Sequence, residues 1–216
     1  MSPGNDCFDI IKRIDDALTI LHSSRAFYRE FLKILDENPR LSTNNHFLIW
    51  VADNYMYCAA MSLRRLLDNT RGTISIIKLF EALDDNSHLL NKTYYISHFT
   101  ADCSDPQFAE ECFSSFARLG HTEGLNLRIL RDQIESFSSS WGRLKTYIDE
   151  RVAHEAKSPS EDLPTVSDLD ICIDKVAEVM KIIIAFLTFG SITSFEPEIQ
   201  YRWKEIFSFP WIEPSR

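Results

Sequence analysis

The sequence predicts an all-α fold, a helical bundle of about four long helices with two or three short ones. Apolar residues recur at steps of three and four over long stretches, which is the period that lines one side of an α-helix. The sequence contains no internal repeat, no low-complexity tract and no convincing hairpin signal. With 216 residues, the chain is long enough for one sizeable core, or for one core with an appendage.

The first two predicted helices cover about 8–38 and 46–67. Asn38 and Pro39 stop the first helix, because proline restricts the residue before it and cannot continue a helix. The second helix carries apolar and aromatic residues around much of its circumference. That distribution predicts a central helix, contacted on several sides.

The rest of the chain alternates predicted helices with polar connections. We expect a short helix over about 73–83, capped by Thr73 or Ser75, and then a loop with one helical turn over 88–105. A helix follows that starts at Asp105 and Pro106 and ends at Gly120, and after it a long helix over 125–157. A linker with two prolines over 158–164 leads to a long helix capped near 165–168 and closed by Gly190, and a short helix over 195–207 comes last. This order predicts an N-terminal helical segment (1–40) packed on the core, a helical bundle (41–195), and a C-terminal short helix with an aromatic tail (196–216). The tail, with Phe207, Phe209 and Trp211, is expected to pack on the body or on a partner.

The longest periodic stretch runs from about Leu125 to Lys157 and predicts one continuous helix. At ~1.5 Å per residue, such a helix spans roughly 50 Å, the long axis of a small domain. Its apolar seam consists of Leu127, Leu130, Ile134, Phe137, Trp141, Leu144, Ile148 and Val152. A polar stripe with the same period lies on its flank and consists of Ser140, Arg143, Tyr147, Arg151 and His154. We expect any chemistry of this protein at the C-terminal end of that flank.

The net charge of −9 argues against a protein that binds nucleic acid through bulk electrostatics, although a local basic site is compatible with it. The five cysteines are scattered without a CxxC pair, and no signal peptide is recognisable, which together suggest reduced thiols in a cytoplasm. The strongest apolar run, 182–187, is too short to cross a bilayer. We therefore expect a cytoplasmic protein that binds neither membrane nor DNA.

Metal and cofactor sites are not expected. The six histidines never pair at helical ligand spacing, and no cysteine lies near one of them in a ligand pattern. Glycine-rich motifs for phosphate binding and the GxSxG motif of hydrolases do not occur.

His154 and Arg151 are the leading candidates for chemistry. They are neighbours at i, i+3 in the last predicted turn of the long helix, and Tyr147 lies two turns before His154 on the same flank. A histidine there can take a proton from a ribose 2′-hydroxyl while an arginine stabilises a phosphorane, and that reaction needs no metal. Alternatively, the cluster is a basic helix end that complements the helix dipole.

A second basic pair, Arg64 and Arg65, closes the second helix. Arg65 and Asp68 are at i, i+3, so an ion pair between them is the simpler interpretation. If the two helices are antiparallel neighbours, one of these arginines is expected to reach the region of His154.

Two segments together resemble the AbiU2-like branch of the HEPN superfamily. The first, MSLRRLLD at 61–68 followed by TISIIKLFEAL at 73–83, is similar to the family's Ser-Leu-x-Arg-Leu-x-Asp helix end and the helix after it. The second, YIDERVAHEAK at 147–157, is similar to the family's Arg-Asp-Lys-x-x-Ala-His stretch. The resemblance covers the core from about His46 to Phe189, and the two segments occur in the family's order and separation.

This resemblance implies an all-α bundle that dimerises, with Arg-x(4–6)-His motifs facing each other across the interface. Many members of the superfamily are metal-independent endoribonucleases of phage defence or toxin–antitoxin systems, and others are inactive dimerising or RNA-binding modules. The sequence departs from the motif at the arginine, because the positions five to seven residues before His154 hold Asp149, Ile148 and Tyr147. An apolar residue cannot replace a guanidinium.

Two hypotheses follow. The first is a defence-type homodimer with endoribonuclease activity on an RNA substrate. Its residues would be His154 as general base, Arg151 as the transition-state group and Tyr147 as an accessory, with Arg143, Lys157 and Arg65 binding RNA phosphates. The second is a catalytically inactive module that dimerises or binds a protein such as an antitoxin.

Overall fold

The structure is a computed structural model that describes residues 3–39, 45–103, 105–154, 156–189, 194–195 and 202–208. Within these residues it contains only helices and connections, with no strand, so the all-α prediction is confirmed. The α-helices are α1 (Pro3–Glu37), α2 (His46–Leu66), α3 (Ile76–Asp85), α4 (Lys92–Cys103), α5 (Pro106–Arg118), α6 (Leu127–Glu135), α7 (Ser138–Tyr147) and α8 (Val166–Thr188). Shorter helical turns lie at Ser87–Leu90, Ile148–Val152 and Trp203–Ser208.

Side-chain caps fix several helix starts. Asn45 accepts a hydrogen bond from the backbone N–H of Phe47 at 2.9 Å, and Ser75, rather than Thr73, caps α3 through the N–H of Lys78 at 3.2 Å. Each cap satisfies one of the N–H groups that a helix start leaves unpaired. The predicted cap of α5 by Asp105 is also present, with proline in the first turn.

The centre of the bundle is α8. It buries a full set of apolar side chains around its circumference: Leu169, Cys172, Ile173, Val176, Ala177, Val179, Met180, Ile183, Ile184, Phe186 and Leu187. The prediction of α2 as the central helix is wrong for its N-terminal half, where Phe47, Ile49 and Trp50 are exposed. Apolar residues surround α2 on all sides, but its N-terminal half is buried on only part of its circumference.

The prediction of a loop over 88–105 is also wrong, because α4 occupies most of it. Tyr95 and Phe99 on α4 are buried among aromatic rings of neighbouring helices. The Tyr95 ring centroid lies 5.1 Å from that of Phe186 on α8 and 5.5 Å from that of Phe116 on α5. This packing outweighs the β-propensity of residues 94–96.

Helix α1 and the short turn Trp203–Ser208 both pack on this bundle. Along α1, Ile11, Ile14, Leu18 and Leu21 are buried in the same core as α8. Trp203 packs edge-on against Phe27 of α1, with 5.1 Å between ring centroids. The predicted helix end at Gly190 and the tail residues Phe209 and Trp211 lie outside the described residues; α8 ends at Thr188, followed by Phe189 in the left-handed region at φ 55°. No described helix has both the length and the apolar character needed to cross a membrane.

Candidate functional site

The segment that carries His154 is not one continuous helix, and that prediction is wrong. It consists of α6, a break at 136–137, α7, and a five-residue π-helical turn over Ile148–Val152. The break falls next to Ser136 and the run Ser138, Ser139 and Ser140. Serine side chains bond to nearby backbone groups and so compete with helix propagation; the Ser136 hydroxyl donates to the carbonyl of Gln133 at 2.6 Å.

The π-helical turn inserts one extra residue into the helix before His154. The backbone N–H of Ala153 donates to the carbonyl of Ile148 at 2.7 Å, a step of five residues instead of four. The helix ends there, so His154 lies in a bend beyond it and not in a last helical turn as predicted. The polar stripe from Ser140 to His154 therefore does not continue on one helix face.

His154 is exposed to solvent, and no hydrogen bond joins it to any other residue that the structure describes. Arg151, predicted as its catalytic partner, instead holds the loop that follows. Its guanidinium donates to the carbonyl of Ser160 at 2.9 Å, and the N–H of Ser160 donates to the carboxylate of Glu150 at 2.6 Å. Both contacts fold the loop of His154 back onto the π-helical turn. Lys157 lies exposed in the same loop.

Tyr147 faces α2. Its ring stacks on that of Tyr57, with 6.0 Å between centroids and 25° between planes. Burial raises the pKa of the Tyr147 phenol, and its hydrogen bond with Tyr57 raises it further. This phenol is therefore neutral at pH 7 and suited to donating a hydrogen bond, not to acting as a base.

Arg143 is engaged away from His154. It forms an ion pair with Asp168, whose side chain is only 6% exposed. The same carboxylate accepts from the N–H and the hydroxyl of Thr165, both at 2.9 Å, and so completes the capping box of α8. Arg143 thus joins α7 to α8, where it anchors the far end of the loop that carries His154.

The two arginines at the end of α2 point to different partners. Arg64 forms an ion pair with Asp149 of the π-helical turn, and Lys145 lies 3.7 Å from the same aspartate. Arg65 lies on the side of α2 that faces α1 and is remote from this pair. The predicted ion pair between Arg65 and Asp68 is not formed, because Asp68 accepts hydrogen bonds from the N–H and hydroxyl of Thr70 instead.

The structure therefore brings together Tyr57 and Arg64 of α2 with Tyr147, Asp149 and Arg151, beside the exposed loop of His154. Sequence reasoning did not single out Tyr57. The signal was present, since Tyr57 and Arg64 are separated by seven residues and so share a face of α2. In the described part of the chain, no three histidine, cysteine or acidic side chains are grouped so that they could hold a metal ion.

The three positions five to seven residues before His154 hold no arginine, and the surroundings of their side chains do not fit one. Ile148 is fully buried, Asp149 is an acid held by Arg64, and Tyr147 is stacked on Tyr57. The helical bundle itself is consistent with a HEPN fold.

The comparison with protein families agrees with this class. The family model HEPN_AbiU2, described as AbiU2, matches residues 9–202. The chain belongs to this HEPN-type, abortive-infection-associated family. No curated protein and no solved structure gives a significant match.

Proposed function

We propose that this chain is a HEPN-type module that forms a homodimer through α2 and does not cleave RNA. The observation that carries this proposal is an exposed aromatic face on α2 that leads into the motif region. Phe47 and Trp50 stack on each other with ring centroids 6.0 Å apart, and Trp50 is 59% exposed. Tyr57, two turns further along, is also exposed and lies beside Tyr147.

A second copy fits this face by symmetry. In a two-fold interface, each residue meets the same surface of the other copy. Trp50 and Arg64 each lie seven residues from Tyr57, on opposite sides of it. An antiparallel pair of α2 helices with its axis near Tyr57 would therefore set Trp50 of one copy against Arg64 of the other, a favourable cation–π arrangement.

Among the described residues, the arginines of the motif region all have other partners, which favours a module that does not cleave RNA. Arg151 is bonded to the Ser160 carbonyl, Arg143 to Asp168 and Arg64 to Asp149. A carboxylate next to a guanidinium offsets the charge that would stabilise a phosphorane. An acidic chain with a net charge of −9 also gives RNA no general attraction.

Light scattering after size-exclusion chromatography tests the homodimer. Wild type is expected to be a dimer and Trp50→Lys a monomer of unchanged helicity, because the replaced side chain is exposed. Leu119→Lys is the matched control, since Leu119 is 55% exposed at the end of α5. A monomeric wild type, or a Trp50→Lys protein that remains dimeric, would contradict the proposal.

Incubation with single-stranded RNA in EDTA tests the absence of cleavage. Wild type and His154→Ala are expected to leave the RNA intact to the same extent. Cleavage that resists EDTA and disappears in His154→Ala would overturn the proposal in favour of a ribonuclease.

The ribonuclease is the second candidate, and one observation favours it. Arg64 supplies a guanidinium from α2 to the π-helical turn that precedes His154, even though the motif itself has no arginine. In that mechanism His154 would take the proton of the ribose 2′-hydroxyl, and Arg64 and Arg151 would stabilise the phosphorane. Arg64→Gln would then reduce cleavage together with His154→Ala.

A further inference from the structure

A groove of about 280 Å³ lies between α3 and α6, and its lining shares no residue with the aromatic face of α2 or with the residues around His154. Ile77 and Phe80 of α3 and Ile134 of α6 form its apolar part. Ile77 and Ile134 are half-buried, whereas Phe80 is only 1% exposed and lies at the bottom of the groove. The volume is below the range of small-molecule sites, which begins at about 300 Å³, so the groove suits side chains of a protein partner better than a free ligand.

Carboxylates lie on both walls of this groove. Glu81 lines it on α3 and Glu135 lines it on α6, and both residues are exposed. Glu81 is paired at 2.9 Å with Lys78 of its own helix, and an exposed pair of this kind contributes little free energy, so Glu81 can exchange its partner at low cost. In the part of the chain that the structure describes, no ion pair joins Glu135 to a cation. The apolar strip therefore lies between two acidic edges.

The groove already holds one cation of its own chain. The guanidinium of Arg131 lies over the ring of Phe80, 5.2 Å from the ring centroid, and forms an ion pair with Asp84 of α3. A cation that lies above an aromatic ring and beside a carboxylate is held by two attractive interactions at once. The surroundings of Arg131 therefore suit a guanidinium, and Glu135 provides a carboxylate for a further cation from outside.

We propose that this groove docks an amphipathic α-helix of a partner protein, whose apolar stripe is flanked on both sides by lysine or arginine. A helix that binds in a groove presents its apolar side chains at steps of three and four, and here they lie over Ile77 and Ile134. The basic residues on its two flanks pair with Glu81 and Glu135. A second copy of this chain is a poor occupant, because a chain with a net charge of −9 brings like charge to an acidic groove. The proposal does not depend on the homodimer or on the function of His154.

Fluorescence anisotropy of a labelled synthetic peptide with the full chain tests this proposal. The probe is a helix of roughly 18 residues with leucine at i, i+3, i+4 and i+7 and lysine on both sides of that stripe. A scrambled peptide of the same composition has the same charge but no apolar stripe. At an ionic strength of about 0.15 M, the striped peptide is expected to bind with a Kd below about 50 μM, and the scrambled peptide at least about tenfold more weakly. Equal affinity for both peptides, or no saturation up to about 1 mM, would overturn the proposal.

Two double variants locate the site. Glu81→Lys combined with Glu135→Lys reverses the charge on both walls and is expected to weaken binding of the striped peptide at least about tenfold. Glu111→Lys combined with Glu161→Lys is the matched control, because it changes the net charge equally at two exposed carboxylates that do not line the groove. Its affinity is expected to stay within about threefold of wild type. All four residues are exposed, so circular dichroism is expected to show an unchanged fold.

Two outcomes with these variants would contradict the site. If both double variants weaken binding equally, net charge alone accounts for the affinity and the groove does not. Light scattering is expected to give the same mass for wild type and for the protein with Glu81→Lys and Glu135→Lys. A lower mass for that variant would assign the groove to a second copy of this chain.

Discussion

Replacing Arg143 by glutamine tests how much the contact between α7 and α8 stabilises the fold. The Asp168 carboxylate, 6% exposed, accepts hydrogen bonds from the guanidinium and from Thr165. Without the guanidinium, the carboxylate remains buried with only the neutral donors Thr165 and Ser140 as partners. Breaking a buried ion pair costs about 3–5 kcal/mol, but the Arg143 side chain is 33% exposed and water can replace part of it. We therefore expect a loss of about 2 kcal/mol, or roughly 4–8 °C in the melting temperature for a chain of this length.

Urea denaturation followed by circular dichroism at pH 7 measures this loss. Arg128→Gln is the control, since Arg128 is exposed on α6, and its free energy of unfolding is expected to stay within about 0.5 kcal/mol of wild type. The bond from Arg143 and the cap at Thr165 hold the pKa of Asp168 well below its usual range. A lowered carboxyl pKa stabilises the fold above the unfolded value of about 4 and ceases to do so as the pH falls through the folded value. The difference between wild type and Arg143→Gln must therefore shrink below about pH 4. An Arg143→Gln protein as stable as wild type at pH 7 would refute the reasoning.

Three further changes test other parts of the structure. Arg64→Gln removes the ion pair to Asp149, and because both side chains are more than a third exposed, urea denaturation is expected to show a loss under about 1 kcal/mol; a loss above about 2 kcal/mol would contradict this. Burial lowers the pKa of His121, so the unfolded state binds the extra proton and stability is expected to fall as the pH drops below about 6.5; His121→Asn should flatten that slope. Gly124→Ala places a Cβ against the carbonyl oxygen of Leu90 at a φ of 138°, so its melting curve is expected to show a loss of about 3 kcal/mol, and an unchanged curve would exclude the clash.

Local signals predicted much of the fold. Capping residues such as Asn45, Asp105 and Thr165 act through their own neighbours, so their effect can be derived from the sequence alone. Helix α4 could not be derived in this way. Its placement depends on aromatic contacts of Tyr95 with residues as distant along the chain as Phe186, which no short window contains.

The candidate site was predictable in part. The flank of Tyr147, Arg151 and His154 was identified from periodicity, but that argument assumed an uninterrupted α-helix. The structure interrupts it at 136–137 and again at the π-helical turn. The ion-pair partners of the arginines could not be predicted from periodicity either, because Asp168 lies 25 residues from Arg143 and Asp149 lies 85 residues from Arg64.

Because of the turn Ile148–Val152, the spacing of residues in the sequence does not predict which way the side chains after it point. One surplus residue rotates everything downstream by about 100° relative to regular winding. Deleting a single position inside the turn would restore regular winding and swing Arg151 off the Ser160 carbonyl. The loop that carries His154 would then lose one of its two contacts with the turn, so the orientation of His154 depends on a π-helical turn of only five residues.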